Sequence, residues 1–100
     1  MRIIAKKALR DFWELHPDSE QALKAWYKDV ADAEWESFND VREAFGRASA
    51  VGSDRIVFRI RGNHYRLIVR INYGFSIVYI KFVGTHAEYD KIDSQTVDHY

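Results

Sequence analysis

The chain has 100 residues, 47% of them hydrophobic and 30% charged, which excludes an intrinsically disordered chain and predicts one folded domain over residues 1–100. Fifteen basic residues balance fifteen acidic ones, and there is no cysteine, which excludes disulfides, thiolate zinc sites and cysteine nucleophiles. Since no apolar run approaches the roughly 18 residues of a membrane span, we expect a cytoplasmic protein with no membrane partner.

Two amphipathic helices are predicted near the start of the chain. Apolar residues recur at intervals of three and four over 5–16, and Pro17 ends that helix. The same spacing continues over 18–33, where Asp18 or Ser19 is expected to cap a second helix. The two helices form a hairpin, and its apolar face requires a flat partner.

Shorter elements flank this hairpin. Residues 2–4 form a possible short strand ahead of it. After it, a third helical piece is predicted over about 39–45 and is ended by Gly46. Residues 47–54 are predicted to be a loop.

Beyond this loop the apolar period changes from helical to two. Strands are predicted over 55–61, 65–72 and 76–83, joined by turns at 62–63 and 73–75. Consecutive strands with such short connections pair antiparallel. One face of this meander is apolar and is expected to receive the two helices, so the fold class is α+β in two layers.

Positive charge is concentrated in the predicted sheet. Residues 51–83 contain five more basic than acidic residues, although the whole chain is neutral. Guanidinium groups gathered on the face away from the helices repel one another unless an anion offsets their charge, and Arg makes two parallel bonds to phosphate oxygens. With no acidic partners nearby in sequence, the set predicts a nucleic-acid backbone site; the simpler alternative is that it keeps the sheet soluble. The set is Arg59, Arg61, Arg66, Arg70 and Lys81.

His86 and Tyr89 follow the third strand. In a helical turn these two residues lie on the same side, and an imidazole beside a phenol and several Arg suits acid–base and phosphate chemistry. A capping box of Thr85 and Glu88 would explain the same residues structurally. No metal-ligand spacing is present, so we expect no metal and no cofactor. Of the other histidines, His16 is interpreted as a helix-end residue and His64 as an exposed residue of a turn. His99 lies in a tail, 93–100, that is expected to be flexible.

Two segments resemble a known family of bacterial toxins: Gly62-Asn63-His64-Tyr65-Arg66-Leu67 and Thr85-His86-Ala87-Glu88-Tyr89-Asp90. From about Arg2 to Ile92 the chain is similar to the HigB family of the RelE/ParE-like superfamily. The resemblance implies two N-terminal helices packed on a curved antiparallel sheet. It also implies a type II toxin–antitoxin system, in which an endoribonuclease cleaves mRNA, commonly in the ribosomal A site, and inhibits translation. A helix-turn-helix HigA antitoxin neutralises such a toxin.

The resemblance also assigns roles to residues. In similar toxins a ribose 2′-hydroxyl attacks the adjacent phosphate, which requires a base, an acid and a cation. At the matching positions, Arg66 would stabilise the phosphate and His86, assisted by Tyr89, would transfer protons. Whether His86 is the base or the acid stays open, because no Glu lies at a strand position beside Arg66, where some relatives carry a carboxylate base. The residues expected to bind RNA backbone are Arg59, Arg61, Arg70, Lys81 and Lys91.

Two other functions fit the same residues. One is an RNA-binding or interaction module without catalysis. The other is a ParE-like gyrase poison, which is disfavoured because the His-containing segment near the end of the chain suits RNA cleavage better. The neutral net charge also departs from the basic balance common among ribosome-dependent toxins. An antitoxin would either cover the arginines with acidic groups or grip an aromatic helix surface around Trp13, Trp26 and Trp35.

Overall fold

Five strands form a single sheet, and two of the four α-helices cover one face of it. The computed structural model describes all residues, 1–100. In chain order the elements are β1 (Arg2–Ile4), α1 (Lys6–Leu15), a 3-10 turn (Pro17–Ser19), α2 (Glu20–Ala31), α3 (Phe38–Ala44), β2 (Ser49–Val51), β3 (Arg55–Ile60), β4 (Tyr65–Asn72), β5 (Ile77–Thr85) and α4 (His86–Tyr89). None of the helices combines the length and the apolar character needed to cross a bilayer.

The strand order across the sheet is β1-β5-β4-β3-β2. Strands β2 to β5 pair antiparallel, whereas β1 pairs parallel with β5 at one edge. The predicted α+β class, the short first strand and the antiparallel meander are confirmed, and the pairing of β1 makes the sheet mixed. Parallel pairing is possible here because the long chain between β1 and β5 provides the crossover.

Two local predictions are wrong. Within the predicted loop 47–54, Ser49–Val51 forms β2 and pairs with β3; three residues are too few for alternation to reveal a strand. Neither Asp18 nor Ser19 caps α2. The Ser19 hydroxyl instead donates to the backbone oxygen of His16 at 2.7 Å, because the 3-10 turn leads straight into α2 and leaves no extended residue at the cap position.

The core lies between the helix pair and the inner face of the sheet, which is the face turned toward α1 and α2. Alternation along β3 is as predicted, since Ile56, Phe58 and Ile60 are all buried in this core. The ring of Trp26 packs edge-to-face on Phe58, with 5.4 Å between centroids. Trp26 and Trp35 are both buried. These two tryptophans therefore serve the core and do not form an exposed aromatic surface.

The outer face of the sheet, turned away from α1 and α2, is partly apolar. The end of the chain packs over a small buried cluster there. Val97 contacts this cluster, and its backbone oxygen accepts a hydrogen bond from Arg55 Nη1 at 2.6 Å. The flexibility of 93–100 stays a prediction, but in the structure this segment covers part of the outer face. The cluster consists of Val57, Ile68 and Phe82.

Candidate functional site

The outer face carries two arginines that lie directly opposite each other. Arg59 on β3 is the cross-strand partner of Arg66 on β4, as the alternation predicts. Neither forms an ion pair with a carboxylate. Because like charges directly opposite each other destabilise a sheet, a bound anion between them would stabilise the protein.

Arg66 is buried although it has no carboxylate partner. It is 6% exposed, and its guanidinium donates to Asn63, from Nη2 to Oδ1 at 2.7 Å and from Nη1 to the backbone oxygen at 3.1 Å. Burial, and then the charge of Arg59, lower the pKa of Arg66, yet a guanidinium stays charged in proteins. Its Nε–H has no acceptor within the protein. Such a cation costs folding stability and is typical of a functional site.

The hairpin turn between β3 and β4 places Asn63 against this guanidinium. Arg61 and Gly62 adopt positive φ values of 52° and 65°, which reverses the chain directly before Asn63. On the neighbouring strand, the residue paired with Arg66 is Gly84. Gly84 has no side chain, and the place a Cβ would take is filled by the Phe82 ring and by Glu88 Cβ.

Helix α4 presents His86 and Tyr89, and a capping box fixes where it begins. Thr85 Oγ1 accepts from the Glu88 backbone N–H at 3.1 Å, and Glu88 Oε1 accepts from the Thr85 N–H at 2.8 Å. The bond from the Thr85 N–H is the main reason that the pKa of Glu88 is lowered. The His86 N–H donates to the backbone oxygen of His64 at 3.1 Å, which joins α4 to the hairpin turn. The capping box is therefore present, and it holds both candidate residues in place.

Tyr89 contacts Arg66 directly, and His86 lies three residues before it. The guanidinium carbon is 5.6 Å from the centroid of the Tyr89 ring, a cation–π geometry. Nδ1 of His86 lies 3.0 Å from Asp90 Oδ2; an Nδ1–H donated to this carboxylate leaves Nε2 free to exchange a proton with a substrate. His86 and Asn63 line an open cleft of about 430 Å³. The arrangement can hold an anion at Arg66, and it places an imidazole in the cleft lined by Asn63, the residue that binds the Arg66 guanidinium.

Two further basic residues predicted to bind RNA are ion-paired, so the expectation that acidic partners are missing is wrong for them. Arg70 pairs with Asp54 at 2.7 Å, and Lys81 pairs with Asp98 at 3.1 Å. Both cations remain on the outer face, where each lies over the ring of Tyr79. The two carboxylates come from the turn before β3 and from the end of the chain.

Arg61 does not join the cations of the outer face. Its Nη1 lies 3.1 Å from Asp18 Oδ2, on the helix side, because the strand alternation ends where Arg61 adopts positive φ. Asp18 also accepts from the Tyr65 hydroxyl, and this bond is the main cause of the lowered pKa of Asp18. Lys91 is exposed just beyond α4. The structure therefore brings together Arg59, Arg66 and Tyr89, and it places His86 beside Asn63 in the adjoining cleft.

Sequence reasoning missed three residues around this site. The sequence places Asn63 in a turn and gives neither Asn63 nor Asp90 a role in the site, although each orients a candidate residue. The signal for Asp90 was its position four residues after His86 on a helical turn. Arg47, in the predicted loop, is near enough to contribute to the lowered pKa of Arg66. Nothing local in the sequence indicates that proximity.

Comparison with known proteins relates this chain to a family model and to a curated relative. Residues 19–92 match the family model HigB_toxin, described as the RelE-like toxic component of a toxin-antitoxin system. The chain is also 27% identical over 94 residues to a relative named mRNA interferase HigB, from Escherichia coli O6:H1, and the match covers 92% of this chain and 91% of the relative. Arg66 and His86 both lie within the residues matched by the family model.

Proposed function

Because this chain belongs to the HigB toxin family, the RelE-like toxic components of toxin-antitoxin systems, we propose that it is an mRNA interferase, an endoribonuclease that inhibits translation by cleaving mRNA. One observation carries the proposal: Arg66 is buried, has no carboxylate partner and faces a second unpaired cation, Arg59. A phosphodiester is the ligand that would offset both charges. The name of the relative supports the same class of activity.

The proposed reaction is attack by a ribose 2′-hydroxyl on the adjacent phosphorus. The P–O5′ bond breaks, leaving a 2′,3′-cyclic phosphate on one product and a 5′-hydroxyl on the other. Negative charge grows on the nonbridging oxygens as the pentacoordinate state forms. Arg66, with its Nε–H free of protein acceptors, stabilises that charge, and Arg59 binds phosphate beside it. The positive charge comes from the chain itself, so the reaction as proposed requires no metal ion.

His86 performs a proton transfer in this scheme. Nε2 is the atom left available when Nδ1–H is donated to Asp90, and Asp90 is thereby a positioning residue. Tyr89 assists from its place under the Arg66 guanidinium. Asp90 is already engaged by His86, so it is not a free carboxylate base beside Arg66.

We further propose that cleavage takes place in the ribosomal A site and that a HigA-type antitoxin neutralises the toxin. Family membership supports a neutralising antitoxin, since the family consists of toxic components of toxin-antitoxin systems; the proposal of A-site cleavage rests on the resemblance of the two sequence segments to toxins that commonly cleave there. Acidic groups of an antitoxin laid over Arg59 and Arg66 would satisfy the same unpaired charges as RNA.

The test is to express the chain briefly, with and without an inhibitor of translation, and to map mRNA 5′ ends. Wild type is expected to give codon-phased cuts that disappear with the inhibitor. Arg66→Ala and His86→Ala are expected to abolish them, whereas Arg2→Ala, an exposed change on β1 at the far edge of the sheet, should leave them unchanged. Equal cutting by wild type and both site variants would remove this site, and RNA binding without cutting by wild type would favour the non-catalytic module.

A further inference from the structure

A second cleft lies on the other side of Arg59 from Arg66. It encloses about 210 Å³ between the turn that precedes β2 and the end of β3. We call it the Arg47 cleft, and its lining residues are Phe45, Gly46, Arg47, Ala48, Phe58 and Arg59. We propose that this cleft binds one nucleotide of the RNA, next to the phosphate that is cleaved, with a phosphate on the two arginines and the base against Phe45. The proposal rests on the proposed function.

The charges around the cleft point to an anion. Neither Arg47 nor Arg59 forms an ion pair with a carboxylate. Arg47 and Arg59 line the same cleft, and the charge of each lowers the pKa of Arg66, against the opposing effect of Tyr89 and Asp90. Three arginines this close repel one another, and an anion between them would offset that repulsion. Phosphate groups of a single RNA strand supply such a series of charges.

The order of the elements places the Arg47 cleft, Arg59 and Arg66 next to one another. Ser49 of β2 pairs with Val57 of β3, and Arg47, in the turn two residues before Ser49, lines the cleft together with Arg59. Arg66 is the next residue across the sheet. The cleft therefore adjoins Arg59 on the side of β3 away from Arg66, whose strand lies about 4.8 Å from β3. A strand of RNA with its reacting phosphate at Arg66 would reach the Arg47 cleft with a flanking nucleotide.

An aromatic ring supplies the surface for a base. Phe45 is half-buried and packs edge-to-face against Phe58, 5.1 Å away, and Trp35, 6.0 Å away. These two contacts fix the orientation of the ring, while part of it lines the cleft. Aromatic rings bind bases by stacking with little sequence preference. The cleft is smaller than the roughly 300 Å³ of typical small-molecule sites, which suits one unit of a longer chain.

The probe for the test is a single-stranded 2′-O-methyl RNA of about ten nucleotides, which cannot be cleaved because it has no 2′-hydroxyl nucleophile. Its dissociation constant is measured with the full chain at several salt concentrations. Arg47→Ala is expected to weaken binding and to reduce the slope of log affinity against log salt by about 0.7, the value for one phosphate contact on a single strand. Arg47→Lys should keep the slope. Phe45→Leu should weaken binding with no change in slope.

Arg42→Ala is the matched control, since Arg42 is an exposed arginine on α3 that does not line the cleft; it should bind like wild type. Thermal unfolding of each variant shows whether the fold is intact. Equal affinity and slope for Arg47→Ala and wild type, together with weaker binding by Arg66→Ala, would overturn the Arg47 cleft and leave the proposed function standing. If neither Arg47→Ala nor Arg66→Ala weakened RNA binding, both the Arg47 cleft and the proposed function would be overturned. If Arg47→Ala impaired antitoxin binding alone, the cleft would serve a protein partner and the nucleotide proposal would fail.

Discussion

Arg66 shows how a functional residue can work against stability. Its charge is buried without a carboxylate, and replacing buried charges by apolar groups of similar volume is often neutral or stabilising. We therefore predict that Arg66→Met abolishes mRNA cleavage and changes the free energy of unfolding in urea by no more than about 1 kcal/mol, because relief of the buried charge offsets the loss of its hydrogen bonds to Asn63.

A control for this prediction is Arg55→Met on the neighbouring strand. Arg55 donates to the backbone oxygens of Val97 and Ser94, so it has a structural role. Loss of these charged hydrogen bonds should lower the free energy of unfolding by about 1.5–3 kcal/mol. A similar loss for Arg66→Met would assign Arg66 to the stability of the fold instead of to phosphate binding.

Gly84, opposite Arg66, is required by close packing. A Cβ at this position would lie 2.5 Å from Phe82 Cζ and 3.3 Å from Glu88 Cβ. Phe82 is buried and cannot swing away, so Gly84→Ala is predicted to cost about 1–3 kcal/mol in urea unfolding. Gly74→Ala is the control, because its Cβ would meet nothing closer than 3.5 Å. Equal stabilities of the two variants would contradict this account of the packing.

Asp18 is expected to make the stability of the fold depend on pH. The Tyr65 hydroxyl and, less strongly, the Arg61 charge lower the pKa of Asp18 from its ordinary 3.8. A lowered carboxyl pKa stabilises the fold above that ordinary value, and the contribution is lost as the pH falls through the folded-state pKa. The urea midpoint of wild type is therefore expected to drop more between pH 7 and pH 3 than that of Asp18→Asn. The reference variant is Asp29→Asn, an exposed change whose urea midpoint should drop as much as that of wild type. An equal drop for wild type and Asp18→Asn would contradict this assignment.

At the scale of elements, the capping box of α4 links stability to chemistry. Thr85→Ala removes the hydroxyl that accepts from Glu88 and should cost about 0.5–2 kcal/mol. It should also slow mRNA cleavage beyond what the lost stability explains, because α4 carries His86 and Tyr89. Thr85→Ser keeps the oxygen and should restore both properties, while exposed Thr96→Ala should match wild type. Unchanged cleavage by Thr85→Ala would show that α4 needs no cap to place His86.

The elements that sequence predicts correctly are those with several periods of pattern. β3 and β4 alternate over six and eight residues, so their inner and outer faces follow from the sequence. β2 has three residues and no readable period. Arg61 continues the alternation in sequence, yet its positive φ turns it to the helix side. Alternation over one or two residues is too short to predict which face a side chain takes beside a turn.

The residues of the candidate site likewise divide into those that the sequence pattern predicts and those that it does not. Arg59 and Arg66 follow from alternation and hairpin register, and His86 from the element that comes next. Ion pairs between distant parts of the chain cannot be predicted from the sequence pattern. Lys81, for example, contacts Asp98 only because the end of the chain folds over the sheet. Arg47 likewise lines a cleft with Arg59 only because the turn before β2 folds against the end of β3.

The whole molecule is neutral, so binding to RNA must depend on where its charges lie. The outer face keeps Arg59 and Arg66 unpaired at one end, whereas Lys81 is neutralised by Asp98 from the last residues of the chain. Those residues reduce the positive potential of the face that is proposed to meet RNA. Local charge, and not net charge, should therefore set affinity.

This view predicts that Asp98→Asn strengthens binding of the 2′-O-methyl RNA about two- to fivefold at low salt, since it releases the Lys81 charge for RNA. Asp32→Asn makes the same change in net charge at an exposed position after α2 and should alter affinity much less. Because Lys81 is mostly covered, its released charge acts at short range, and the gain should disappear as salt screens it. Equal gains in both variants would show that net charge controls binding and that the position of the last residues over the sheet does not.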